Sequence, residues 1–177
     1  MGQNHICDMM LRGVLALTLT AGAAHTTEHE VAEYGSVLDA CYMAAADGAA
    51  RRVCVGGMSS TCMDTEEGGH STFGMTSCLA GEARVWDKYL NQEYRATRNF
   101  ARLMDEDEAV YFPEYAKRVE ALVAAQRAWI AFRDAECALA YAQWGSGSMR
   151  HIAGAECLMR LTATRAIDLR AMREFFE

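Results

Sequence analysis

The sequence predicts an all-α fold, an antiparallel helical bundle stapled by disulfides, and three observations carry that expectation. Proline occurs once, at Pro113, and glycine gathers in a few short breaks. Between the breaks the chain is rich in Ala, Leu, Met, Glu and Arg, the good helix formers, with apolar residues at steps of three and four and no useful strand-like alternation. Six of the seven cysteines follow a segment that reads as an export leader, the setting in which an even cysteine set forms a disulfide framework.

The leader is the apolar run from Val14 to Ala24 behind Arg12, closing in the small residues Ala21 to Ala24. It suits a signal peptidase cutting after Ala23 or Ala24, and residues 1–24 are read as the signal peptide. The run is shorter than the roughly 20 apolar residues a bilayer needs. A start at Met9 or Met10 would give a better n-region than the stretch containing Asp8. Cys7 falls inside this leader and no cysteine stands at the cleavage point, so no membrane anchor is expected. About 150 residues then remain, enough for one domain with a core.

The net charge is −7, and losing Arg12 and Asp8 with the leader does not change it. Nucleic-acid binding, which needs clustered Lys and Arg, is therefore not expected. An acidic surface keeps a secreted domain soluble and also suits a cationic partner.

Residues His25 to Glu30 read as a flexible tail. From Val31 to Ser77 the chain reads as short helical stretches broken at Asp47-Gly48, Gly56-Gly57 and Gly68-Gly69, with too little apolar surface to order itself unaided. A long helix begins near Cys78, with the stripe Leu79, Ala83, Trp86, Leu90, Tyr94, Thr97, Ala101 and Met104, and frays at Asp105 to Glu108. The next starts at Pro113, a favoured first-turn residue, with the stripe Val119, Leu122, Val123, Gln126, Ile130, Arg133, Cys137 and Tyr141. It stops at Gly145 to Ser148. Ser148 is then a candidate N-cap for a last helix whose stripe is Ile152, Ala155, Leu158, Met159, Thr162, Leu169 and Met172.

In a helical hairpin, bridged cysteines must lie level, so their sequence midpoint belongs in the turn. The midpoint of Cys137 and Cys157 is Gly147, that of Cys62 and Cys78 is His70, and that of Cys41 and Cys54 lies between Asp47 and Gly48. Each falls in a break, so the expected pairing is sequential: Cys41–Cys54, Cys62–Cys78 and Cys137–Cys157.

Two stretches carry a family resemblance. One is Thr72-Phe-Gly-Met-Thr-Ser-Cys78 with Glu82, Trp86 to Asn91 and Tyr94. The other is Ala125-Gln-Arg-Ala-Trp-Ile-Ala-Phe-Arg-Asp-Ala-Glu-Cys137, followed by Cys157 and Leu161-Thr-Ala-Thr-Arg165. Over about Cys62 to Arg170 the chain resembles the lysozyme-inhibitor LprI-like domain, a family of small secreted helical proteins. The resemblance divides the mature chain into a cysteine-containing extension, 25–61, and an LprI-like domain, 62–177, expected to form one compact unit. It implies a periplasmic or secreted protein that inhibits a cationic lysozyme or related muramidase. The named member is an anchored lipoprotein, a feature not expected here, and no inhibitory residues carry over from the family.

The motif residues also have a direct physical reading. On a helix Gln126, Ile130, Arg133 and Cys137 share one face, with Trp129 beside them and Arg127 and Asp134 pointing outward. A core-side Arg133 needs a carboxylate, which Asp87 or Glu82 could supply, because an unpaired buried charge is costly. Trp86, Asp87, Gln126, Trp129, Arg133 and Asp134 therefore form either a polar latch that sets helix register or a ligand-facing patch.

Two features read as possible partner-binding elements. One is the loop 68–74 with His70 and Phe73, pinned between Cys62 and Cys78. The other is the acidic run Asp105, Glu106, Asp107 and Glu108; Asp64, Glu66 and Glu67 are a second acidic loop. Catalysis finds little support: His151 reads as a surface residue, and neither a haem-attachment motif nor a redox Cys pair is present. His25 and His29, with Glu28 and Glu30, have a metal-compatible spacing on a short polar tail, and no metal or other cofactor is assigned. The reading is a binding protein, not an enzyme. A cell-envelope structural protein without an enzyme target, and a small-molecule binder using a pocket between the Trp86 and Trp129 helices, remain the alternatives.

Overall fold

The computed structural model describes the backbone of residues 23–176 and side chains from Tyr34 onward. The signal-peptide assignment and Cys7 lie almost wholly outside the described residues. Six α-helices and no strand occur among them: α1 (Ala23–Ala44), α2 (Gly48–Arg52), α3 (Gly57–Thr65), α4 (Thr72–Glu108), α5 (Arg118–Ala142) and α6 (Met149–Glu174). The fold is all-α, and the three cysteine pairs are the sequential ones, with Cα–Cα distances of 5.8, 5.7 and 5.4 Å. None of these helices is long and apolar enough to cross a membrane.

Helices α4, α5 and α6 run up, down and up. Leu79 and Ile152 flank one hollow at one end, and Phe100 meets Phe176 toward the other, so α4 and α6 are parallel neighbours. Helix α4 starts earlier than its apolar stripe suggests, because the Ser71 side chain accepts the Gly74 N–H as an N-cap. It buries Leu79, Val85, Trp86, Leu90, Thr97 and Ala101 and packs along α6, which contributes Met159, Ala163, Ala166, Ile167 and Leu169 to the core. The alanines on α6 let the two backbones approach. Leu158 and Met172, expected on the buried stripe of α6, are instead exposed.

The extension covers the other side of this pair. Helix α1 lays Tyr34, Leu38 and Tyr42 onto α3 and α4, where Tyr42 meets the Trp86 ring edge-on at 5.6 Å. Residues 25–30, expected as a flexible tail, belong to the backbone of α1, since the helix continues in register N-terminally from Tyr34. Helix α2 is capped by Asp47, whose Oδ1 accepts the Ala50 N–H. It sits on α6, with Arg52 paired to Asp168 at 2.6 Å.

Helix α5 is the most exposed member. Only Leu122, Gln126 and Cys137 are buried, and the expected stripe residues Ile130 and Tyr141 face solvent. It starts at Arg118 rather than Pro113, which opens a single 3₁₀ turn, Pro113–Tyr115. The reason is an external cap: the Asp105 carboxylate accepts the backbone N–H groups of Arg118 and Val119 at 3.0 and 2.9 Å. Asp105 to Glu108 are accordingly the last turn of α4, not a frayed loop. Ser148 precedes α6 without a side-chain cap. The turn before it uses Gly145 in the left-handed region, at φ +53°.

Candidate functional site

A groove of about 980 Å³ opens between α4, α5 and α6. Its floor is made of small residues, Ala80 and Ala83 from α4, Ala138 from α5 and Gly154 and Ala155 from α6. Gly154 lets the Tyr141 ring pack close to α6: a Cβ there would stand 3.3 Å from that ring, which would have to give way. The rim is charged, with Arg84, Asp87 and Lys88 on one side and Arg133 and Asp134 on the other. Asp87, Arg133, Asp134 and Cys137, separated by some fifty residues in the chain, thus share one surface.

The expected ion pair from Arg133 to Asp87 or Glu82 does not form. Arg133 turns back over the Trp129 ring, 5.2 Å from its centroid, and pairs with the adjacent Asp134 through Nε and Nη2 at 2.9 and 2.8 Å. A long side chain on a helix reaches the residue one turn N-terminal, which keeps its charged head at the solvent rim. Asp87 accepts from Asn91 Nδ2 at 3.0 Å instead.

The arginine that enters the α5–α6 interface is Arg165. Its Nε donates to Gln126 Oε1 at 2.9 Å, and its guanidinium lies 5.9 Å from the Trp129 centroid. Burial lowers its pKa from the ordinary arginine value, with Asp168 acting in the opposite direction. Gln126, Trp129 and Arg165 form the polar latch between the two helices. The signal for Arg165 is the threonine-x-x-arginine motif, Thr162 to Arg165, which is part of the family resemblance.

Trp86 is fully buried and does not line the groove. Its Nε1–H donates to Glu82 Oε1 at 2.9 Å, and the same carboxylate accepts the backbone N–H groups of Gly56 and Ser59 at 2.7 and 2.8 Å. Glu82 is therefore the N-terminal cap of α3, supplied from another helix. Its place between Leu79 and Trp86 on the core face was the available sign that it needed buried donors.

A second network was not anticipated from the sequence. Glu93 accepts from Tyr42 Oη at 3.1 Å and pairs with Arg173, which also donates to Thr97 Oγ1 at 2.7 Å. Buried Arg51 pairs with Glu174 at 2.7 Å, and Glu174 also receives Arg170 Nε at 2.9 Å. Burial, reinforced by Glu93, pushes the Tyr42 hydroxyl up to about 12. Arg51 holds the Glu174 carboxyl below its usual range against the opposing effect of burial, and Arg170 adds to this.

The expected partner-binding residues lie far apart. The 68–74 segment is a tight crossing rather than a protruding loop: a Cβ on Gly69 would sit 2.2 Å from the Met63 carbonyl oxygen, and one on Gly74 2.3 Å from that of Gly68. His70 Nε2 stands 3.1 Å from Asp64 Oδ1, and Phe73 projects outward, 83% exposed. Asp105 to Glu108 lie at the opposite end of α4, about 50 Å away at 1.5 Å per residue. There Asp105 and Glu108 hold Arg118, Glu106 pairs with Arg102, and Asp107 is exposed. Among the described residues no cluster of three His, Cys, Asp or Glu is placed to hold a metal.

The chain matches the family model described as "Lysozyme inhibitor LprI" over residues 62–169. It is also similar to a protein of Rhizobium meliloti (strain 1021) described as "Uncharacterized protein R02472", with 34% identity over 107 residues, 60% of this chain and 77% of that protein. No solved structure matches the chain. The matched segment contains α4 and α5, most of α6, two of the three disulfides and every residue of the groove and latch. On this match the chain belongs to the lysozyme inhibitor LprI family.

Proposed function

We propose that this is an exported binding protein that inhibits a cationic lysozyme or a related muramidase by occluding its cleft. The family match across residues 62–169 is the observation that carries this reading. The net charge of −7 supports it through long-range attraction to a basic enzyme. Three disulfides support it as well, since they suit an oxidising compartment and pre-order the binding surface. In this reading the leader, residues 1–24, is removed, the product is periplasmic or secreted, and residues 25–61 dock on 62–177 as one unit.

A single cleft cannot receive both Phe73 and the acidic turn at Asp105 to Glu108, given their separation. The test is titration of the oxidised protein from His25 onward against a panel of cationic lysozymes, at low and at physiological salt. Saturable inhibition that weakens with salt is the expected result. An absence of both binding and inhibition across the panel would overturn the proposal and favour a structural role in the cell envelope.

The groove favours a second reading, a small-molecule binder. Its apolar floor and charged rim are the ordinary features of a ligand site. The Trp129 ring stacks with Arg133, so a ligand that moves Arg133 would change tryptophan emission with no protein partner present.

A further inference from the structure

The turn joining α4 and α5 exposes a run of large apolar side chains. Val110, Tyr111, Phe112 and Tyr115 are all exposed, Tyr111 at 79% and Tyr115 at 67%. Contiguous apolar surface of this kind marks an interaction site, and tyrosine is prominent among the residues that dominate binding energy. A mere connection between two helices does not require four large apolar side chains in six residues.

The turn is also held rigid. Asp105 caps α5, and Arg118 spans back to Glu108 at 2.7 Å and to Asp105 at 3.2 Å. Phe112 N–H donates to the Glu108 carbonyl at 2.8 Å, and Tyr115 N–H to the Phe112 carbonyl at 3.0 Å. The Phe112 and Tyr115 rings lie 6.4 Å apart. The side chains are thus presented on a fixed backbone, which lowers the ordering cost of binding.

Charge indicates the occupant. The turn is flanked by Glu106, Asp107 and Glu114, all exposed, against the exposed cations Arg102, which pairs with Glu106, and Lys117. Asp107 and Glu114 have no ion-pair partner among the described residues. An acidic rim around exposed tyrosines disfavours an anionic membrane surface and complements a basic protein.

We infer that the α4–α5 turn, residues 110–115 with the rim acids Asp107 and Glu114, is the surface that docks onto a cationic protein partner. This rests on the inhibitor reading and deepens it by placing the contact at this end of the bundle and not at the Phe73 end.

The test compares three full-length mature proteins against the same lysozyme panel: wild type, the double variant Y111S/Y115S, and F73S as a control at the far end. All three substituted positions are exposed, so circular dichroism and melting temperature should be unchanged. The expected result is at least a tenfold loss of affinity for Y111S/Y115S and less than a twofold change for F73S. A D107N/E114Q variant should bind with a shallower salt dependence. Wild-type affinity retained by Y111S/Y115S would overturn the inference and leave the inhibitor reading intact. A wild-type protein that binds no enzyme of the panel would overturn both. A turn that instead drives partitioning onto phosphatidylcholine vesicles or concentration-dependent dimerisation in sedimentation, each abolished in Y111S/Y115S, would overturn the inference alone.

Discussion

Glu82, from the first third of α4, accepts the backbone N–H of Ser59 at 2.8 Å and so closes the start of α3 from outside that helix. The same carboxylate takes the Gly56 N–H and the indole N–H of Trp86. One fully buried anion thus satisfies three donors and ties the extension to the family-matched core. Replacing it by alanine orphans all three. E82A is expected to lose about 3 kcal/mol or more of unfolding free energy, because each unsatisfied buried group costs about 1–3 kcal/mol. Urea denaturation measures this, and a loss below about 1 kcal/mol would refute the capping role.

The Cys137–Cys157 bridge holds a helix that buries few side chains of its own. The paired variant C137A/C157A should lose about 2–5 kcal/mol. Hydrogen exchange should rise first in the half of α5 next to Gly145, where the bridge stands in for packing. Uniform acceleration over the whole chain would instead mean that the bridge acts through global stability.

Tyr42 sets an alkaline limit. Its folded-state pKa, raised by burial and then by Glu93, is about 12 against an ordinary value of 10.0. A raised folded pKa gives stability that is complete below the unfolded pKa and lost as pH rises through the folded one. Stability should therefore fall between about pH 10 and pH 12. Y42F should lose about 1 kcal/mol at neutral pH and show a shallower decline in that window. Some decline persists in Y42F, since burial and the bond to Asp39 also raise the Tyr89 hydroxyl. Identical slopes in the two proteins would rule out the contribution of Tyr42.

Glu174 sets the acid limit. Its carboxyl is held below the usual 4.5, chiefly by Arg51 and with Arg170 adding to the effect. A depressed folded pKa gives stability present above the unfolded pKa and lost as pH falls through the folded one, so this contribution disappears below about pH 4.5. E174Q leaves buried Arg51 without its anion and should cost about 2 kcal/mol at pH 7. Thermal melts from pH 7 to pH 3 should converge for wild type and E174Q at the acid end. A constant gap down to pH 3 would contradict the assignment.

Much of this architecture was legible in the chain. The cysteine midpoints at Gly147, at His70 and between Asp47 and Gly48 identify the three bridges, because a hairpin places level residues symmetrically about its turn. The stripe from Leu79 to Ala101 marks α4 because burial of a continuous helix face leaves a 3.6-residue period. Helix α5 is less legible, since its stripe puts Ile130, Arg133 and Tyr141 inward. It touches α6 and α4 along a narrow seam, so its apolar residues exceed its buried ones and periodicity overstates the core. Pro113 is a good local signal for the start of α5, whereas the cap that decides the matter, Asp105, comes from the end of another helix.

The helical class, the cysteine pairing and the family are legible in one dimension, since each rests on local spacing or on a contiguous motif. Tertiary structure alone decided the polar connections. It selected Arg165 rather than Arg133 for the α5–α6 interface and made Glu82 the cap of α3. It joined Tyr42 to Glu93 and Arg51 to Glu174, and it set Phe73 and Asp105 at opposite ends of the bundle. Partners for a charge are chosen by three-dimensional proximity and burial, and a one-dimensional pattern offers every nearby carboxylate on equal terms.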